Sequence, residues 1–265
     1  MNKKWLAGPY LVWMVGFIVI PLLLIVYYGL TDKSGAFTLA NVLSISTPEH
    51  VKALWLSLGL SLVSTVICLL LAYPLAMILR NRGIGQGSFI VFIFILPMWM
   101  NFLLRTLAWQ TLLEKSGVIN GILTALHLPN QNLINTPGAI ILGMVYNFLP
   151  FMLLPIYNSL IKVDLSVIQA AEDLGANKFQ TFTKVIWKLS IPGVLNGIMM
   201  VFLLSISTFV IPKLLGGGQY MLIGNLIESQ FISVGDWNFG SAISLILAVL
   251  ILIFMSLMKK MDKDE

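Results

Sequence analysis

Six apolar runs, at residues 10–30, 54–79, 88–108, 137–161, 193–212 and 239–258, constrain this chain more than any other feature. Each approaches the about 20 mostly apolar residues that one bilayer-crossing helix needs. Only 10% of the residues are charged, against about 25% in a soluble domain, so lipid is the solvent for most of the surface. The fold class that follows is an all-α polytopic membrane protein with six transmembrane helices in a single domain over 1–265. One long polar stretch, Lys162–Pro192, interrupts the pattern between the fourth and fifth runs.

Lysine and arginine set the orientation. With the N-terminus in the cytoplasm, Lys3, Lys4, Arg80, Arg82, Lys162, Lys178, Lys184, Lys188, Lys259, Lys260 and Lys263 lie inside, and Lys33, Lys52 and Lys115 lie outside. That is 11 against 3, with Arg105 and Lys213 at the outer ends of helices completing the 16. Both termini are therefore expected in the cytoplasm. The net charge of +5 reports this loop asymmetry and not a nucleic-acid partner. The run Tyr10–Leu30 exceeds the about 7–15 residues of a signal-peptide core, and no small-x-small site follows it, so it reads as a retained helix. Arg80–Gly87 reads as a short glycine-rich cytoplasmic turn.

Several chemistries are missing. The single cysteine, Cys68, lies inside an apolar run, so no metal-ligand cluster or disulfide framework exists. No glycine is followed by lysine, which removes the phosphate loop by which a chain of this kind would bind ATP itself. The apolar runs hold almost no ionisable residue, whereas ion-coupled carriers keep one near the bilayer midplane. Arg105 and Lys213 stand near helix ends, where long side chains are expected to snorkel to the interface. Prolines 21, 74, 97, 150 and 155 predict bends within the spans.

The Lys162–Pro192 stretch carries helical signals. Asp164 or Ser166 can cap a first helix, placing Leu165, Ile168, Ala171 and Leu174 near one face, and Gly175 can end it in the left-handed conformation. Asn177 can cap a second helix bearing Phe179, Phe182, Ile186 and Leu189. The pair either lies in the headgroup layer or docks its first helix in a groove of another protein, with Ala170 and Ala171 giving close approach and Glu172 and Asp173 orientation. Gly193 and Gly197 open the fifth run with a spacing that lets helices approach closely. After Gly216-Gly217-Gly218, the run Tyr220–Ile232 is too short and polar to span, and is expected along the outer surface with Glu228 and Asp236 facing water or a vestibule.

Gln169-Ala170-Ala171, three residues, then Gly175 and an apolar turn leading to Pro192 resembles the EAA loop of permease subunits in binding-protein-dependent ABC importers. AAEDLGANKFQTF, LLGGG with the later LIGN, and DWNFG resemble most closely the permease B subunits of bacterial spermidine/putrescine importers. The likeness covers nearly the whole chain. It implies a multi-pass protein of the bacterial cytoplasmic membrane, with a coupling helix at Gln169, Ala170, Ala171, Glu172, Asp173 and Gly175. It also implies two ATPase subunits holding ATP and Mg, a second, homologous permease and an extracytoplasmic binding protein, and no cofactor or catalytic residue in this chain. Two positions depart from the pattern: Gln169 replaces the usual glutamate, and Val185-Ile186-Trp187-Lys188 stands where Ile-x-Leu-Pro is expected.

A polyamine pathway would offer aromatic faces and oxygen ligands to a flexible polycation. Trp99, Asn101, Trp109, Tyr146 and Asn147 are candidates for its outer half, with Glu228 and Asp236 at the mouth. For each aromatic the alternative is an interfacial belt position. The competing functions are an importer of the same type for another small solute, a secondary carrier or channel needing no ATPase, and a membrane scaffold that transports nothing.

Overall fold

The computed structural model describes residues 8–81, 96 and 98–263. Among them, five helices are long and apolar enough to cross a bilayer: α1 (Gly8–Gly29), α2 (Pro48–Asn81), α5 (Pro137–Leu160), α7 (Lys178–Ser207) and α10 (Trp237–Lys263). Shorter helices are α3 (Phe102–Leu113), α4 (Val118–Ala125), α6 (Leu165–Asp173), α8 (Val210–Leu215) and α9 (Ile223–Glu228). The chain is an all-α membrane protein.

α5 is the axis of the bundle. Of its apolar window 61% is buried, against none for α1. It begins where Thr136 accepts the Ala139 N–H and Pro137 supplies a pre-set first-turn φ. It packs between α2 and α7 around Met144, Met152, Ile156 and Tyr157. Gly193 and Gly197 are what allow α7 to lie so close: a Cβ at Gly193 would stand 2.6 Å from the Pro155 carbonyl oxygen, and one at Gly197 would stand 2.7 Å from Met152 Sδ. The small-residue spacing thus serves an intrachain crossing. Among the described residues, the C-terminal half of α1 packs on α10: Gly29 meets the backbone of Ser241 and Ala242, and Asn238 Nδ2 donates to Thr31 O at 2.7 Å.

Three boundaries differ from expectation. The third run is not continuous through residue 108, because Asn101 breaks it and starts α3 by accepting the Leu103 and Leu104 N–H groups at 2.8 and 3.3 Å. The remainder of that run, 88–95 and 97, lies outside the described residues, as does most of the Arg80–Gly87 turn. The helix expected from residue 193 begins instead at Lys178 and carries Pro192 in its interior. Ser159 Oγ donates to Leu189 O at 3.3 Å in the turn that this proline loosens.

The third difference follows α7. Thr208 is extended and ends the helix, α8 restarts after Phe209, and Tyr220–Ile232 packs inward. Leu222, Ile223 and Leu226 are buried, the latter two against Phe202, Ile206, Ile243 and Leu247. The surface position expected for this run is corrected: enough of its side chains are apolar to join the core, and side-chain partners satisfy its backbone. Ile223 N–H donates to Ser57 Oγ at 2.8 Å, and Asn225 Nδ2 donates to the Phe209 carbonyl at 2.7 Å, beside the Lys213 N–H that the same oxygen accepts at 3.2 Å.

Candidate functional site

The Lys162–Pro192 stretch forms an ordered cap at one end of α2, α5 and α7. Asp164 is the N-cap of α6; the Ser166 backbone N–H donates to it at 2.9 Å and holds its carboxyl below the ordinary aspartate range. At the other end Gly175 has φ +85°, Gly175 N–H returns to Glu172 O at 2.9 Å, and Ala176 N–H returns to Ala171 O at 3.0 Å. These two bonds form a Schellman cap, which needs a left-handed residue at the position Gly175 fills. Asn177 and Gln180 then form a reciprocal capping box at 2.9 Å each, starting α7. Both ends of α6 are therefore fixed by local chemistry, although a nine-residue helix would be marginal alone.

The inward face of α6 is narrower than the periodicity predicts. Ile168 and Ala171 are half-buried, Ile168 against the core, while Leu165 and Leu174 are 67% and 89% exposed. Gln169, Ala170, Glu172, Asp173 and Gly175 are exposed as well. With Val167 and Phe179, α6 and its junction with α7 leave four large apolar side chains exposed. Beside it, a cleft of about 500 Å³ opens between the end of α2 (Met77, Arg80), α6 (Ile168, Glu172) and the start of α7 (Lys178, Phe182).

α2 is tied to this cap. Tyr73 and Ser190 oxygens stand 2.9 Å apart, and since Ser190 Oγ donates to Trp187 O, Tyr73 is the donor. The Tyr73 ring packs on Trp187 and Phe182 at 5.0 and 5.9 Å. Arg80 donates to Val163 O at 3.2 Å. Neither residue is singled out by sequence, because each finds its partner more than 80 residues away.

The pathway candidates fall into two groups. Trp109 and Tyr146 meet edge to face at 5.3 Å. Asn147, one residue on from Tyr146, is buried, with Nδ2 on Gly143 O at 2.9 Å and Oδ1 without a partner among the described residues. Asn101 is used as the cap of α3, and Trp99, just before it, is 72% exposed. Glu228 and Asp236 are engaged elsewhere: Glu228 Oε1 holds Lys213 Nζ at 2.7 Å, and Asp236 Oδ1 accepts the Phe239 N–H that opens α10, at 3.0 Å.

Arg105 corrects the sequence reading most directly. It does not snorkel; it is 7% exposed, and Nε and Nη1 are enclosed without a hydrogen-bond partner among the described residues. It stands at i+4 from Asn101 and i−4 from Trp109, on the same face of α3 as both. That spacing was the available signal. Lys213, by contrast, reaches solvent, its side chain 59% exposed.

Over residues 1–264 the sequence matches the binding-protein-dependent transport system inner membrane component family. The chain belongs to this family. The permease is 35% identical over 246 residues to the spermidine/putrescine transport system permease protein PotB of Haemophilus influenzae, covering 90% of this chain and 86% of that one. It is 36% identical over 245 residues to PotB of Escherichia coli, covering 89% of each. The inner membrane ABC transporter permease protein YdcU of Escherichia coli is 32% identical over 238 residues, covering 84% of this chain and 76% of YdcU. The fold matches a chain of a bacterial ABC transporter that imports the acidic polysaccharide alginate, with TM-score 0.76, 15% identity, and 99% and 96% of the two chains covered. A structure of the alginate transporter with its oligosaccharide-bound periplasmic protein gives TM-score 0.77 at 16% identity, with the same coverage. This chain is thus an inner-membrane permease of a binding-protein-dependent ABC importer, a transport subunit and not a catalyst.

Proposed function

We propose that the permease takes up polyamines of the spermidine and putrescine class, delivered by an extracytoplasmic binding protein and driven by ATP hydrolysis in two partner subunits. One observation carries the substrate: 35–36% identity along nearly the full chain to two polyamine permeases, above the 32% shared with a permease of unspecified solute. ATP and Mg then reside on the ATPases, and this chain has no nucleotide site of its own. A second, homologous permease completes the pathway. Six spans with both termini cytoplasmic accommodate the sequence, with a further span in the third apolar run.

α6 is the coupling helix in this reading. It is capped at both ends, yet it and its junction with α7 leave Leu165, Val167, Leu174 and Phe179 exposed, which is costly in water unless another protein covers them. Gln169 adds a neutral hydrogen bond to that contact where relatives of the pattern would add a charge, and Ala170, Ala171 and Gly175 allow close approach. Glu172 and Asp173 orient it. Motion of α6 passes to α2 through Arg80 and Tyr73 and to α5 through the Gly193 crossing.

Among the pathway candidates, Glu228 fits a polycation best, being a carboxylate already holding an ammonium. Trp109 and Tyr146 offer aromatic faces, with Trp99, Asn101, Asn147 and Asp236 as the remaining candidates. The buried charge of Arg105 argues for a route that reaches Glu228 without running along the Asn101–Trp109 face of α3. The test is uptake of labelled spermidine by the reconstituted complex with unlabelled competitors. Competition by putrescine and not by sugars or anions is expected; uptake driven only by an anion or a sugar would remove the substrate claim.

A further inference from the structure

α7 ends at Ser207, and the chain then folds back through α8 and α9 at the end of the bundle opposite the Lys162–Pro192 cap. There Lys213 Nζ and Glu228 Oε1 are 2.7 Å apart, a contact between side chains of unequal freedom: the lysine is 59% exposed and the glutamate 16%. The lysine can swing into solvent on its flexible stem. The carboxylate is the more enclosed partner, and a partly buried carboxylate is costly to leave without a counter-charge. A second acceptor lies one helical turn away on α9: Asn225 spends Nδ2 on Phe209 O, and its Oδ1 is buried with no partner among the described residues. An alkylammonium carries three donors, of which Lys213 places one on Glu228.

We propose that Glu228, with Asn225 Oδ1, is a docking site for a terminal ammonium of the transported polyamine, and that Lys213 is its tethered competitor. The inference rests on the polyamine reading. Lysine ends in CH2–NH3+, the same group that ends a polyamine, so the site has already been shown to fit that chemistry by the protein's own side chain. When the substrate ammonium arrives, the lysine is released to solvent and the carboxylate is never left unpaired. When the substrate moves on, Lys213 returns, which keeps the site from holding its cargo too tightly and from collecting stray inorganic cations. Each step exchanges one ammonium for another, so the local charge is unchanged.

The experiment is concentration-dependent uptake of labelled spermidine by the reconstituted importer carrying Lys213→Met, Lys213→Arg, Glu228→Gln or the natural chain. If Lys213 competes, removing it saves the energy of a partly exposed ion pair, and Lys213→Met lowers the half-saturating spermidine concentration about two- to fivefold. Glu228→Gln raises it about tenfold or more, because a charged acceptor is lost. Lys213→Arg stays near the natural value. Opposite signs for the methionine and glutamine variants are the decisive result. If both raise the half-saturating concentration, if Lys213→Met leaves it unchanged, or if both reduce the amount of assembled complex alike, the pair is a structural tie and the competitor proposal is overturned while polyamine transport stands. If the natural complex moves no polyamine, the substrate reading falls and the proposal with it.

Discussion

The carbonyl oxygen of Pro155 lies where a side chain on Gly193 would begin, 2.6 Å from the ideal Cβ position, with Ser159 Cβ at 2.5 Å from the same point. Both obstacles are backbone or the stiff first atom of a side chain, so neither can rotate aside. Pro155 also lacks the N–H that would tie its turn of α5 to the preceding one. The crossing of α5 and α7 therefore depends on glycine, and it joins the capped loop to the central helix.

Gly193→Ala is expected to force the two helices apart and to cost about 1–3 kcal/mol, the usual penalty of an overpacked core. The thermal midpoint of the purified permease would fall, and uptake would fall with it. A control at Gly59, where nothing lies within 4 Å of a Cβ, should leave both nearly unchanged. An unshifted midpoint for Gly193→Ala would show that the helices are less closely joined than the geometry requires.

Gly175 presents the opposite case. Nothing lies within 4 Å of a Cβ placed there, but its φ is +85°, in a region that costs a non-glycine residue about 1–2 kcal/mol. The effect of substitution is thus conformational, and it should follow tolerance of the left-handed region. Uptake and transport-linked ATP hydrolysis are expected to fall in the order natural chain, Gly175→Asn, Gly175→Ala, Gly175→Val, while the quantity of permease in the membrane holds. Normal uptake by Gly175→Val would remove the coupling role of α6.

The contrast between these two glycines also explains what was legible in the sequence. The chemistry at Asp164, Gly175 and Asn177 is local, each residue satisfying backbone groups within five positions, so their spacing alone describes both ends of α6. Gly193 gave the close approach, yet not its partner, because Pro155 is 38 residues earlier in the chain. The burial of Tyr220–Ile232 depends on Ser57, which supplies a hydrogen bond from 166 residues away. Hydropathy alone starts the fifth run at residue 193, whereas α7 begins at Lys178 and holds Pro192 in its interior, beside Ser159 of α5. Glu228 was picked out as a carboxylate, but its pairing required α8 to fold back.

Arg105 is the position where hydropathy reasoning fails, and its substitution has an unusual expected sign. A charged group destabilises the structure that contains it when its desolvation is not offset by hydrogen bonds, and Arg105 Nε and Nη1 are enclosed with no partner among the described residues. Methionine keeps the unbranched stem that packs between α3 and its neighbours and removes the charge. Arg105→Met is therefore expected to raise the stability of the isolated permease by roughly 2 kcal/mol, within the range assigned to unsatisfied buried polar groups, read as a higher melting temperature by tryptophan fluorescence in detergent. Arg105→Lys keeps the charge and should bring no such gain. If Arg105→Met instead melts lower, the guanidinium has a counter-charge in the folded protein, and the enclosed donors are satisfied. A stabilised variant that also loses uptake would mean that the importer retains this charge for its work in the assembled complex, at the expense of the subunit's own fold.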